Sequence, residues 1–224
     1  MESELLVISL RTVGLALVAT ILMLPPGIAL AWLLARKRFP GRALVETLVS
    51  LPLVLPPVAT GLLLLQLLGR RGALGALLDG LGVEVLFTWK AVVVAMAVMG
   101  LPLLVRSVRA GFEQIDRRYE QIAGTLGAPP LKVFLTVSLP LCRRSLLAGA
   151  LLGFSRALGE FGATILVAGS LPGTRTVAVG IYNATVIGDD ATAFSLLLMS
   201  VGLAFGALFL SNRFAAPRTS VGLS

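Results

Sequence analysis

The sequence predicts an all-α, polytopic membrane protein of about five spanning helices. Hydrophobic residues make up 57% of its 224 positions and charged residues only 13%, too few polar side chains to coat a water-soluble domain. Charge is also absent from four long runs, Thr12–Ala35, Thr47–Gly69, Ala91–Val105 and Ala191–Asn212. Most of these reach the roughly 20 residues that a helix needs to cross the hydrocarbon layer, which disfavours a β-barrel.

Helix 1 is expected over about Val7–Ala35. Met1-Glu2-Ser3-Glu4 lacks the basic stretch of a cleaved signal peptide and the apolar run is too long for one, so the helix is read as retained. Helix 2 follows over about Leu48–Leu68, helix 3 over Phe87–Val105, helix 4 over Leu146–Ala168 and helix 5 over Ala191–Asn212. Pro25 and Pro26 are expected to interrupt helix 1 near mid-membrane, and Pro52, Pro56 and Pro57 to interrupt helix 2. Each proline lacks an N–H and disturbs the carbonyl one turn earlier, leaving backbone polar groups that must face protein or a wet cavity. Helices lining a pathway and helices kinked for packing both meet that requirement. Trp32 and Trp89 fall near helix ends, where interfacial aromatics sit. No linker or internal repeat divides the chain, so residues 1–224 are expected to form a single domain.

The net charge of +8 invites a nucleic-acid reading, but Lys and Arg lie in short connections between apolar runs, where topology signals belong. Thirteen fall in residues 36–46, 106–144 and from Arg213 onward, while five (Arg11, Arg70, Arg71, Lys90 and Arg175) fall on the opposite side. The positive-inside rule therefore predicts an outside N-terminus and a cytoplasmic C-terminus, with the bilayer rather than nucleic acid as the partner.

The cytoplasmic segment 106–144 is far longer than a usual connection. Ile115, Tyr119, Ile122 and Leu126 recur at helical spacing and form one apolar stripe of an amphipathic helix. Gly127 provides a stop and Pro129-Pro130 a new start, so helix, tight turn, helix is predicted. The other side carries Arg117, Glu120, Gln121, Ala123 and Gly124, whose small members let another protein approach the backbone. A solvated connector has the same pattern.

Arg156 and Glu160 are charges inside helix 4. Alone, each costs roughly 2.5–3.5 kcal/mol at a helix centre, so pairing at i, i+4 on one face is expected. The pair either lines a translocation interface, with Arg156 offering positive potential to a dianion, or fixes helix packing. Gly153, Gly159, Gly162 and Gly169 allow close helix approach or a hinge. Beyond helix 4, the uncharged stretch Thr176–Gly188 is too short to span.

The chain contains no His and one Cys, Cys142, which excludes His-based catalysis and an internal disulfide, and leaves no residue set for a zinc site. It has no G-x-x-x-x-G-K-S/T loop, so Walker-type ATP hydrolysis must come from elsewhere and no cofactor is expected on this chain. An ion-coupled secondary carrier normally shows more spans and inverted repeats. A membrane enzyme would have one intramembrane acid to work with.

Gln121-Ile122-Ala123, three residues, Gly127, nine residues and then Val137-Ser138-Leu139-Pro140 resembles the cytoplasmic EAA signature of ABC importer permeases. Gln121 and Ile122 stand where that signature has Glu and Ala, and Glu120 lies one position earlier. Leu51-Pro52-Leu53-Val54-Leu55-Pro56-Pro57-Val58, Gly69-Arg70-Arg71-Gly72 and the string from Ser155 to Thr164 are similar to the oxyanion permeases, those for molybdate foremost, with tungstate and sulfate or thiosulfate permeases sharing much of the pattern. The resemblance implies the MetI-like fold of type I ABC importers in a bacterial or archaeal cell (inner) membrane. It further implies two permease copies, two copies of an ATPase subunit using ATP and Mg, and an extracytoplasmic oxyanion-binding protein. Segment 106–144 becomes the coupling segment, with Glu120, Gln121, Ala123, Gly124 and Gly127 on the ATPase-facing surface, and the 170–190 region part of the outer gate.

Overall fold

The computed structural model describes residues 2–215; Arg218 and the rest of the tail expected after Phe214 lie outside the described residues. The helices are α1 (Glu2–Arg36), α2 (Arg42–Val54), α3 (Pro57–Leu68), α4 (Ala73–Gly80), α5 (Trp89–Gln114), α6 (Arg117–Thr125), α7 (Pro130–Val133), α8 (Leu139–Leu158), α9 (Gly162–Ala168), α10 (Val177–Ile187) and α11 (Asp190–Ala215). A π-helical turn, Phe134–Ser138, joins α7 to α8, so that Pro130–Leu158 runs as one element. That element, α1, α5 and α11 are each long and apolar enough to span, and the bent pair α2–α3 makes a fifth where it is counted as one broken span.

At the centre lies α5, packed between α1 and α8. Ala91, Val92, Ala95, Met96 and Met99 of α5 are buried together with Ala16 and Ala19 of α1 and Ala157 of α8. Glycines set these approaches: a Cβ at Gly100 would lie 2.9 Å from the Gly153 carbonyl oxygen, and one at Gly27 2.5 Å from Leu104. Small residues bring the backbones together, and dispersion then holds them where lipid offers no hydrophobic gain.

Three expectations need correction. Pro25 and Pro26 do not interrupt helix 1, since α1 runs unbroken through both. The α1 residues on either side of them, Met23, Ala31 and Leu34, are locked against Leu104, Val105 and Val108, and this packing carries the helix across its missing bonds. Helix 2, by contrast, begins earlier and is two helices meeting at 117°. Pro52 stays within α2, while the break falls at Leu55-Pro56 and Pro57 starts α3. Every residue of α2 is at least partly exposed, so nothing opposes the break. Helix 4 is not continuous either: it begins at Pro130, stops at Leu158 and restarts at Gly162. The Gly159-Glu160-Phe161-Gly162 step combines weak helix formers with a side chain able to bond the backbone.

The long polar segment is likewise redistributed. Its beginning extends α5 to Gln114, and its part from Pro130 on is the start of the element that ends in α8. The separate piece is α6 and its turn. On the opposite side, α10 fills the uncharged stretch, between the Thr176 cap and Gly188 at φ 79°.

Candidate functional site

The α6 unit is built by local chemistry at both ends. The Asp116 carboxylate accepts the Arg118 N–H at 2.9 Å, capping the first turn. At the other end Gly127 takes φ 84°, its N–H donating to Gly124 and that of Ala128 to Ala123. These paired bonds are the Schellman arrangement, which needs a left-handed residue after the helix.

Behind α6 lies a polar node joining three elements. Arg36, at the end of α1, donates through Nε to Glu120 Oε1 at 3.0 Å and through Nη2 to the Ile115 carbonyl at 3.1 Å. Ser138 Oγ, in the π turn, donates to the same Glu120 oxygen at 2.8 Å. Arg117 donates to the Ala35 carbonyl, one of the α1 oxygens left free at a helix end. The Arg36 side chain is only 6% exposed and that of Glu120 20%, so these charge-assisted bonds are sheltered. Glu120 therefore faces inward as the anchor of α6, whereas Gln121 and Gly124 face solvent and Ala123 is half-buried. Nothing local in the sequence marks Arg36 or Ser138 as partners of Glu120: Arg36 reads as a topology charge, and the carboxylate it meets is 84 residues away.

The outer side of α6 has the opposite character. Tyr119 and Ile122 are 58% exposed and Leu126 82%, so the apolar stripe is presented outward rather than packed on the chain; only Ile115 turns inward. An amphipathic helix gains little from such an arrangement unless another surface covers it.

A second constellation sits where two helix breaks meet. Gly162, at the start of α9, abuts Pro57, at the start of α3, so closely that a Cβ would lie 2.7 Å from the proline ring. One turn further along α3, Gly61 faces Ala163, the residue after Gly162, at 2.7 Å by the same measure. Arg156 and Glu160 are brought together at 2.7 Å, but across the break rather than along one helix face. Glu160, 1% exposed, uses its other oxygen to accept the Ala163 N–H at 2.8 Å, supplying the cap that α9 otherwise lacks. Thr60 and Thr164 place buried hydroxyls in the same pair of helices without a partner among the described residues.

Long apolar helices packed through glycine contacts, two broken helices packed on each other, and an outward-facing amphipathic helix define an integral membrane protein. The chain belongs to the family described as "Binding-protein-dependent transport system inner membrane component", whose pattern matches residues 27–220. It is 43% identical over 214 residues to the molybdenum transport system permease protein ModB of Escherichia coli K12, covering 94% of this chain and 92% of that one. It is 38% identical over 193 residues to the sulfate transport system permease protein CysT of Salmonella typhimurium, covering 84% and 70%. Its fold is that of a subunit in inward-facing crystals of the MetNI methionine ABC transporter, with a TM-score of 0.71 at 18% identity over 95% of both chains.

Proposed function

We propose that this chain is the membrane-spanning subunit of an ATP-driven importer that carries an oxyanion, molybdate, into the cytoplasm. The observation that carries the proposal is the α6 unit: anchored behind by Arg36, Glu120 and Ser138, it offers Tyr119, Ile122 and Leu126 to another protein. In this reading that protein is an ATPase subunit, present in two copies and using ATP and Mg, with Gln121, Ala123, Gly124 and Gly127 beside the apolar contact. Two copies of the chain surround the pathway, and an extracytoplasmic binding protein delivers the anion. The basic end of the molecule faces the cytoplasm and the N-terminus the outside. Molybdate is preferred to sulfate because similarity to the molybdenum permease is both higher and more extensive than to the sulfate permease.

Arg156 and Glu160 act as a structural pair that closes the helix break, because a guanidinium neutralised at 2.7 Å offers a dianion little net charge. The test is uptake of labelled molybdate into vesicles holding this chain, the ATPase subunit and the binding protein. ATP-dependent uptake that persists in excess sulfate supports the assignment. Sulfate competing equally would move the substrate, and uptake without the ATPase would make the chain a secondary carrier.

A further inference from the structure

At the basic end of the molecule, α1 and the start of the Pro130–Leu158 element line an open groove, a surface cavity of about 820 Å³. Its walls include Leu24, Pro25, Ile28, Trp32, Leu131 and Phe134, and it opens outward from the helix bundle. Three observations specify what fits there. The first is length. The α1 wall runs from Leu24 to Leu33, about 14 Å at the helical rise, which is close to half of the ~30 Å hydrocarbon layer and hence to the depth of one leaflet. The second is chemistry, since the lining is aliphatic and aromatic, with Trp32 edge-on to Phe134 at 5.7 Å between ring centroids. The third is charge at one end only. Lys37 Nζ stands 5.7 Å from the Trp32 ring centroid, and exposed Lys132 directly follows the wall residue Leu131.

We infer that this cavity is a binding site for an anionic glycerophospholipid. One acyl chain occupies the groove from Trp32 to Leu24, and the phosphate lies against the Lys37 and Lys132 ammonium groups. Lysines at the membrane surface each favour anionic over zwitterionic lipid, and an aromatic ring at headgroup level fixes the depth of the chain beneath it. The wall built from Pro130, Leu131 and Phe134 is continuous with the α6 turn and the Ser138 node, so the lipid buttresses the base of the unit that meets the partner subunit. A zwitterionic lipid lacks the net charge that the two lysines would neutralise.

The two tryptophans make the test direct. In the full-length chain carrying Trp89→Phe, Trp32 is the remaining fluorophore, and the protein is reconstituted in phosphatidylcholine vesicles with rising fractions of chain-brominated phosphatidylglycerol or chain-brominated phosphatidylcholine. Quenching by the brominated phosphatidylglycerol should be half-maximal at a mole fraction at least about fivefold lower, the preference that even one of the two lysines supports. Lys37→Gln with Lys132→Gln should abolish that preference while leaving quenching by phosphatidylcholine unchanged. Ala29→Phe, which fills the groove, should weaken quenching by both. Equal quenching by the two lipids in the unsubstituted background, or a preference that survives loss of both lysines, overturns the site. Absence of quenching by either lipid shows that protein, in the form of a second copy, covers the groove, and overturns it as well.

Discussion

Glu160 is held through both of its carboxylate oxygens. Its carboxylate is buried, one oxygen pairing with Arg156 and the other capping α9. Arg156 is 25% exposed and Glu160 1%, so removing the cation leaves a buried carboxylate uncompensated, a loss of up to about 3–5 kcal/mol. Arg156→Leu alone should therefore lower the thermal unfolding midpoint of the detergent-solubilised chain sharply. Arg156→Leu combined with Glu160→Gln should recover most of it, since Gln keeps an acceptor for the Ala163 N–H without a charge. Equal instability of the single and double variants would show that the cation matters for itself, returning Arg156 to the pathway. Glu120 is a milder case. Glu120→Ala leaves Arg36, 6% exposed, without its carboxylate, a cost of about 1–3 kcal/mol. Faster amide hydrogen exchange across α6, partly restored by Glu120→Gln, is the expected readout.

At the scale of elements, α6 owes its orientation to its ends. Gly127 holds φ 84°, and nothing lies within 4 Å of a Cβ built there, so a side chain at this point meets a backbone penalty rather than a clash. Gly127→Val should cost about 1–2 kcal/mol locally and redirect α6 against the element that starts at Pro130. Uptake and ATPase binding in reconstituted vesicles should fall several-fold while the chain still inserts, because every span is untouched. Gly80→Ala, away from α6, is the control, with equally open space and no positive φ. If the two variants behave alike, the turn does not set the coupling geometry. The α2–α3 and α8–α9 breaks follow a related logic: each leaves backbone polar groups unpaired, and packing at Pro57 and Gly162 buries the α9 side, while Pro56, Pro57 and Val58 stay exposed on the single chain.

For the whole molecule, the charges sort by end. Arg36, Arg109 and Arg117 engage partners at one end of the bundle, whereas Arg11 donates to the Pro172 carbonyl and Arg175 pairs with Glu4 at the other. Exposed positions with room for a side chain make the topology measurable: Gly80 follows α3 on the sparsely charged side, and Gly124 lies on α6. In intact cells, Gly80→Cys should react with a membrane-impermeant thiol reagent, and Gly124→Cys only after the membrane is opened. Native Cys142 is 2% exposed and contributes little background. The reverse pattern would invert the molecule and remove α6 from the reach of a cytoplasmic ATPase.

Composition and periodicity by themselves determined that the chain is helical and membrane-embedded, where its spans lie to within a turn or two at several ends, which end is basic, and that Gly127 closes a short amphipathic helix. These are properties of local runs, in which hydropathy and the backbone preferences of Gly and Pro act without long-range help. Only the tertiary structure decided which prolines break a helix. Pro25-Pro26 and Pro56-Pro57 are alike as dipeptides, but α1 is clamped along Met23 to Leu34 and α2 is exposed along its length. It also decided that Glu120 turns inward to Arg36, and that Arg156 meets Glu160 across a break rather than along a helix. Those outcomes depend on residues far apart in sequence or on what packs beside a segment, and a one-dimensional pattern does not contain its neighbours.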